Sequence, residues 1–215
     1  MNCIVTAGPT YEPLDNVRRM TNFSTGKLGV ELANYLTAHG HEVTLFAGEQ
    51  ATYPGERRAA HLRTFSTTAS LRDGLQGLGG DSVDAVFHAA AVSDFAFGTV
   101  WQRSPAGELT AVKAGKISTR EGSLLVELVP TPKLIYELRG WFPRARLAGW
   151  KFEVDGDRND VLRAARRQLA EARTDLCVAN GPAYGAGFGL VTAEGERTVG
   201  AVLALYGELE KFAGM

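Results

Sequence analysis

Two short stretches carry residue types suited to holding an anion. The first is Asn22-Phe23-Ser24-Thr25-Gly26-Lys27-Leu28-Gly29, where a helically spaced apolar run begins. Side-chain hydroxyls and glycines at a helix start leave backbone N–H groups open to a phosphate, and the positive end of the helix dipole adds to them. Helix capping needs only one such side chain, so Asn22 and Ser24 together exceed it. Gly26 and Gly29 read either as close packing or as room for a phosphate. The second stretch is Ala89-Ala90-Ala91-Val92-Ser93-Asp94, at the end of an apolar run. Asp94 reads as a turn former or as a ligand-facing carboxylate. Lys113 and Lys116 lie in a segment rich in Gly, Pro, Lys and Ser. They read as solvated charges, or as flap cations that fold over phosphates and stabilise a phosphoryl transition state. Arg18 and Arg19 offer the planar fork that suits phosphate or carboxylate. Trp150 and Phe152 flank Lys151 at a strand end, as core or as a stacking surface for a base, and Asn180 ends a late apolar run.

The common fingerprints are missing. G-x-x-x-x-G-K-[ST] would need glycine at Thr21 and a hydroxyl at Leu28, and G-x-G-x-x-G also fails. No Tyr is followed four residues later by Lys, as a short-chain dehydrogenase needs. His39, His41, His61 and His88 show no metal-ligand spacing, and Ser24 has no evident His and Asp partners for a hydrolase triad.

The elements that must position these residues alternate. Strands are expected over 2–6, 41–46, 62–65, 83–89, 124–129, 146–152 and 175–179. Helices are expected over 26–38, 67–78, 131–138, 157–172 and 202–212. Residues 188–192 and 197–199 read as an edge hairpin around Glu194-Gly195. The result is an α/β fold: a doubly wound, mainly parallel, Rossmann-like three-layer sheet. Residues 11–22 form a long polar loop, and such a loop in a compact domain is usually functional or disordered. Residues 96–122 lose all periodicity and read as a long excursion, a flap or dimerisation arm. In open sheets of this kind ligands bind at the carboxyl ends of the strands. Ala7 to Thr10 with the long loop, Ser93 with Asp94, and Asn180 all fall there.

At 215 residues, the chain reads as one domain, 1–215, with a substantial core. A net charge of −1 and mixed signs along the chain give no electrostatic case for nucleic acid or an acidic membrane. No apolar run approaches the roughly 20 residues of a membrane span. A strand at the start leaves no signal peptide. Cys3 and Cys177 make no C-x-x-C and read as core residues. A reducing cytoplasm is expected.

The segment from Val5-Thr-Ala-Gly-Pro-Thr-Tyr-Glu-Pro-Leu-Asp-Asn-Val to Arg18, with Thr21-Asn-Phe-Ser-Thr-Gly-Lys-Leu-Gly29, resembles the phosphopantothenoylcysteine synthetase (phosphopantothenate–cysteine ligase) family. Ala89-Ala-Ala-Val-Ser-Asp-Phe95, Lys116-Ile-Ser-Thr119, Pro130-Thr-Pro-Lys-Leu-Ile135 and Val178-Ala-Asn180 continue the match in order. The first two motifs are long and specific, and the likeness covers essentially the whole chain. It implies a ligase that activates phosphopantothenate as an acyl-nucleotidylate from CTP or ATP, with Mg²⁺, then joins it to cysteine in coenzyme A synthesis. It implies that Asn22 holds the pantothenoyl part and the acyl intermediate. Gly8, Ser24, Gly26 and Gly29 match contacts to the nucleotide, mainly its phosphates. Ala90, Ala91 and Asp94 match the loop on phosphopantothenate, while Trp150 falls near the nucleotide base and Asn180 matches a nucleotide-site asparagine. A homodimer is implied, with the excursion closing the site. The flavin-dependent decarboxylase often fused ahead of this domain has no counterpart here, so a stand-alone form without FMN is expected. One branch of the family carries Lys-Ile-Lys-Lys-Gln in the flap, its fourth residue a catalytic lysine. Here the run is Lys116-Ile117-Ser118-Thr119-Arg120. Thr119 stands at that lysine, which leaves Lys116 as the candidate flap charge. Two rivals remain: an NAD(P)-dependent oxidoreductase of related fold, and a nucleotide-binding partner without turnover.

Overall fold

The structure is a computed structural model that describes residues 1–118 and 122–214. Strand β1 (Asn2–Ala7) opens the chain. The polar loop after it holds a small antiparallel pair, β2 (Tyr11–Pro13) and β3 (Arg19–Thr21). Helix α1 (Lys27–Ala38), β4 (Glu42–Gly48), β5 (His61–Phe65), α2 (Thr68–Gln76) and β6 (Ala85–His88) complete the first half. There follow β7 (Phe95–Arg103), β8 (Leu109–Ala111) and β9 (Ser123–Pro130). The second half runs through α3 (Leu134–Trp141), β10 (Arg146–Phe152), α4 (Arg158–Ala172) and β11 (Leu176–Asn180). It ends with β12 (Phe188–Val191), β13 (Glu196–Val199) and α5 (Val202–Ala213).

Eight strands form the main sheet in the order β13-β12-β11-β10-β6-β1-β4-β5. β11 to β5 in that order pair in parallel, while β12 and β13 pair antiparallel at one edge. The strand–helix–strand pattern and the edge hairpin follow the alternation in the sequence. Chain order reverses between β1 and β6, and this switch point opens a crevice at their carboxyl ends. One face of the sheet buries Val5, Phe87 and Val178 against Val30 and Leu36 of α1 and Leu205 and Leu209 of α5. The other buries Ile4, Phe46 and Val86 against Leu71 of α2 and Leu134 and Leu138 of α3. α4 adds Val161 and Ala165 over Cys177. Asp157 and Asp160 start α4 with a reciprocal capping box. Burial pushes the Cys3 thiol up to about 11 and the Cys177 thiol up to about 12, so both behave as small core groups.

The excursion differs from expectation. β7, β8 and β9 form a separate three-stranded antiparallel sheet in the order β8-β7-β9. The strand expected over 124–129 therefore belongs to this arm and not to the main sheet. Its residues are mostly half-exposed or exposed, and a register shift interrupts β7 between Phe97 and Val100. A sheet that buries neither face fully, with a bulge in one strand, leaves no clean period-2 signal.

His88 closes β6 and is buried, with Nδ1 3.0 Å from the Thr6 hydroxyl. Burial holds its ring neutral, lowering the pKa from 6.5 to about 4. The unfolded chain therefore binds a proton between those values that the folded chain refuses. Stability is fully present above about 6.5, falls as the pH drops towards about 4, and gains no further loss from this group below that. Urea midpoints at pH 7, 5.5 and 4.5 should show a shallower acid loss for His88→Gln than for the natural chain. Parallel pH profiles for the two would remove His88 from the acid lability.

Candidate functional site

The ends of β1 and β6 are laced together. Gly8, at φ +84°, turns the chain out of β1. The Gly8 carbonyl accepts from Ala91 N–H at 3.0 Å, and Thr10 N–H donates to the Ala91 carbonyl at 3.1 Å. The Thr10 hydroxyl donates to Ser93 Oγ at 3.1 Å and accepts from Ser93 N–H at 2.8 Å. The Thr6 hydroxyl accepts from Ala90 N–H at 3.0 Å. Onto this lacing Asn22 adds a side-chain bond, Nδ2 donating to the Ala91 carbonyl at 3.1 Å. The two anion-type stretches of the sequence thus meet directly.

Neither Asn22 nor Ser24 caps α1. The residue before the helix is Gly26, at φ +81°, with no side-chain cap. Gly26 and Gly29 do pack closely: an added Cβ would lie 3.2 Å from Gly8 Cα in the first case and 2.7 Å from Ala7 Cβ in the second. This close approach sets the start of α1 beside the lacing. A cavity of about 330 Å³ lies there, lined by Ser24, Gly26, Lys27, Gly29, Glu31 and Tyr206 among others. Glu31 accepts from the hydroxyls of Tyr53 at 2.9 Å and Tyr206 at 3.0 Å. Burial, followed by the bond to Glu31, raises the Tyr206 pKa, so the phenol stays protonated.

A larger cleft of about 690 Å³ shares Ser24 with it. Asn22, Ser24, Ala90, Ala91, Asp94, Trp150 and Asn180 all line this cleft. Four separate stretches of sequence therefore converge. Trp150 sits on β10 and Asn180 on β11, with Trp150 opposite Val178 and Phe152 opposite Asn180 in the parallel register. Successive side chains alternate faces, so Trp150 and Asn180 are diagonal neighbours on one face. Trp150 Nε1 and Asn180 Oδ1 are buried with no hydrogen-bond partner among the described residues. Leaving such a group unpaired costs about 1–3 kcal/mol, so a wall carrying a spare donor and a spare acceptor is suited to a polar ligand edge.

Gly8 lies beneath the α1 start and lines neither cavity. Lys116 also lines neither, and it is exposed. Its neighbours are pinned elsewhere: Asp15 Oδ2 accepts from Ile117 N–H at 3.1 Å, and Arg18 Nη2 donates to the Ile117 carbonyl at 2.8 Å. The Arg18 guanidinium and backbone donors hold the Asp15 carboxyl well below the usual range. Thr119 lies outside the described residues. Lys151 and Phe152, noted beside Trp150 from the sequence, line the larger cleft too, and so do residues given no role from sequence, notably His88, Lys133 and Gln168. Lys133 makes an ion pair with Asp94. The signal for it was available in part, since Thr131-Pro132 ahead of a helix puts the next residue at the helix start. Gln168 lies on α4, and nothing local distinguishes it from the other polar residues of that helix. Among the described residues no group of three or more His, Cys, Asp or Glu could hold a metal ion, and no helix is long and apolar enough to cross a membrane.

The chain is similar to known proteins over most of its length. The coenzyme A biosynthesis bifunctional protein CoaBC of Thermococcus kodakarensis is 33% identical over 177 residues, covering 82% of this chain and 40% of that protein. The chain likewise spans 42% of the length of the Bacillus subtilis protein of the same name, at 33% identity. The crystal structure of the DNA/pantothenate metabolism flavoprotein from Streptococcus pneumoniae superposes with a TM-score of 0.86 at 26% identity, covering 98% of this chain and 97% of that one. A Cab2 variant solved in complex with phosphopantothenate-cysteine shares the fold, with a TM-score of 0.69 at 20% identity, over 100% of this chain and 89% of that one. The family model for the DNA/pantothenate metabolism flavoprotein C-terminal domain matches residues 1–199, and the chain belongs to that family.

Proposed function

We propose that this chain is a phosphopantothenate–cysteine ligase that works through an acyl-nucleotidylate. The observation that carries the reading is the junction at Asn22, Ser24 and Ala91. There a helix start suited to phosphate opens into a cleft large enough for a second substrate. Membership in the family and the coenzyme A names of the relatives support it.

In the first step an oxygen of the phosphopantothenate carboxylate attacks the α-phosphorus of CTP or ATP. A new P–O bond forms, the bond from that phosphorus to the bridging oxygen breaks, and pyrophosphate leaves with the electron pair. In the second step the cysteine amine attacks the acyl carbon. The C–N bond forms, the nucleoside monophosphate leaves, and the amine releases a proton to solvent. Neither step needs a protein nucleophile. What the protein supplies is position and fixed charge. Ser24, Gly26 and Gly29 seat phosphate at the α1 start, with Gly8 making room beneath. Asn22, Ala90, Ala91 and Asp94 hold the acyl partner. Trp150 and Asn180 take the base end, where their unpaired donor and acceptor gain partners. Mg²⁺ would neutralise phosphate charge. With no protein cage of three or more ligands among the described residues, the ion would enter on the phosphates, and Asp94 is the carboxylate at hand. Lys116 remains the candidate for a charge brought in when the arm closes.

The arm is also the proposed dimer surface, because its sheet exposes Phe95, Leu109 and Leu128. Sedimentation equilibrium at micromolar concentration should give the mass of two chains, and Leu128→Glu should shift it towards one. A natural chain that sediments as a monomer would overturn the dimer.

Purified protein with phosphopantothenate, cysteine, Mg²⁺ and CTP or ATP should release pyrophosphate. Absence of release with both nucleotides at high enzyme concentration would sink the ligase. Asn22→Asp should lower turnover by about 100-fold or more, the scale for loss of one preorganised donor, while the chain still folds with a melting temperature lowered only by the loss of one exposed hydrogen bond. Wild-type turnover in that variant removes Asn22 from the mechanism.

A further inference from the structure

Nucleotidyl transfer gathers negative charge on phosphate oxygens in a partly closed cleft, and a fixed cation there is the ordinary way to stabilise it. Two lysines line the larger cleft among the described residues, Lys133 and Lys151. Lys151 is paired with its strand neighbour Glu153 at 3.0 Å. Lys133 is placed differently. It occupies the residue before α3, in extended conformation, and makes no side-chain cap. The first amides of α3 and the Lys133 ammonium therefore both serve the same corner, where Leu134 and Ile135 also line the wall.

The backbone leading to Lys133 is anchored. Thr131 N–H donates to the Asp94 carbonyl at 3.0 Å, and the Thr131 hydroxyl donates to the Ser93 carbonyl. Pro130 and Pro132 stiffen the same run. The lysine stem thus rises from a run pinned to the loop that carries Asp94, and its ammonium bridges to the Asp94 carboxylate. That pair is solvent-exposed, with the two side chains 51% and 64% accessible, so it is weak and easily exchanged. A triphosphate offers the ammonium a denser charge at no cost in backbone movement.

We propose that Lys133 is a phosphate-binding residue of this cleft, its ammonium leaving Asp94 for the oxygens of the nucleoside triphosphate. The inference rests on the ligase reading for its reaction and on the cleft itself for its binding. Lys133 transfers no proton in this step. The carboxylate–phosphorus bond forms, the bond to the bridging oxygen breaks, and the charge released on pyrophosphate is what the ammonium meets. Lys133 is a resident charge, distinct from any that the arm brings.

The test compares Lys133→Ala, Lys133→Arg and, as a surface control, Lys211→Ala, whose side chain pairs with Glu208 on α5. Pyrophosphate release, the KM for phosphopantothenate, calorimetric affinity for ATP and CTP, and melting temperature are measured for each. Lys133→Ala should lower kcat by about 100-fold and nucleotide affinity by about 10-fold. The phosphopantothenate KM and the melting temperature should stay near those of the natural chain. Lys133→Arg should recover most of the affinity, because the charge remains. If Lys133→Ala matches Lys211→Ala in kcat and affinity, the proposal is overturned while the ligase stands. If the natural chain binds nucleotide without releasing pyrophosphate, the ligase reading falls, and nucleotide affinity alone decides Lys133. If it binds neither nucleotide, both fall.

Discussion

The carbonyl oxygen of Ala91 accepts from the Thr10 amide and from the Asn22 side chain, and the Ala91 amide in turn donates to the Gly8 carbonyl. This small exchange fixes the end of β1, the segment after β6 and the approach to α1 relative to one another. The two strands are neighbours in the sheet, but pairing ends at Thr6 and His88. Beyond that point the chain ends would diverge towards their own helices. The Thr6 and Thr10 hydroxyls carry the contact past the last ladder residues and satisfy backbone groups that would otherwise be buried unpaired. The proposed two-substrate reaction depends on placing its partners to within about 1 Å, and the lacing ties together the three segments that would hold them.

The glycines explain why the frame has two cavities rather than one. α1 descends onto β1 because Gly29 faces Thr6 and Ala7 with no side chain, and the turn before it descends onto Gly8 in the same way. A helix standing further off would leave its first amides remote from Ala91. With α1 seated, Ser24 belongs to both hollows. The polar loop ahead of it is shaped by a short antiparallel pair, Tyr11 opposite Thr21. The Thr21 hydroxyl bonds to the Thr10 carbonyl at 2.9 Å, so the loop returns to the lacing it left. Its length is the distance needed to go out, turn through Asp15 and Arg18, and come back.

Contiguous features were the legible ones. The β/α alternation is written in apolar spacing, and residues 22–29 and 89–94 are runs whose chemistry is visible without a fold. The cleft wall on β10, β11, α3 and α4 is less so. Trp150 and Asn180 become neighbours through strand register, and Lys133, Lys151 and Gln168 reach the same space from three different elements. No local pattern encodes such convergence. Lys116 is the complementary case: its charge is obvious, but the place of its neighbour Ile117 is set by Asp15 and Arg18, about a hundred residues away in the chain. β7 and β8 escaped because their residues are mostly half-exposed or exposed, and periodicity reports burial on one face rather than strand geometry itself.

The unpaired atoms on Trp150 and Asn180 bear on how such a site discriminates. A cleft lined only by apolar groups rejects a wrong ligand weakly, because a missing contact costs little. A buried donor and acceptor that lack partners behave otherwise. Any ligand presenting a complementary polar edge relieves both, and any ligand of similar size without that edge seals them in unpaired. The folded chain tolerates the two orphans because β10 and β11 are held by a parallel ladder and by Cys177, Val178 and Ala179 in the core. Rigidity there is therefore a condition for selectivity: if the wall could relax, the atoms would find partners within the protein, and the difference between right and wrong ligands would shrink. The α1 corner works by the opposite logic. On the proposed reading, backbone amides and a shared serine would hold any phosphate, so selection between nucleotides would fall to the β10–β11 wall and charge to the α3 corner.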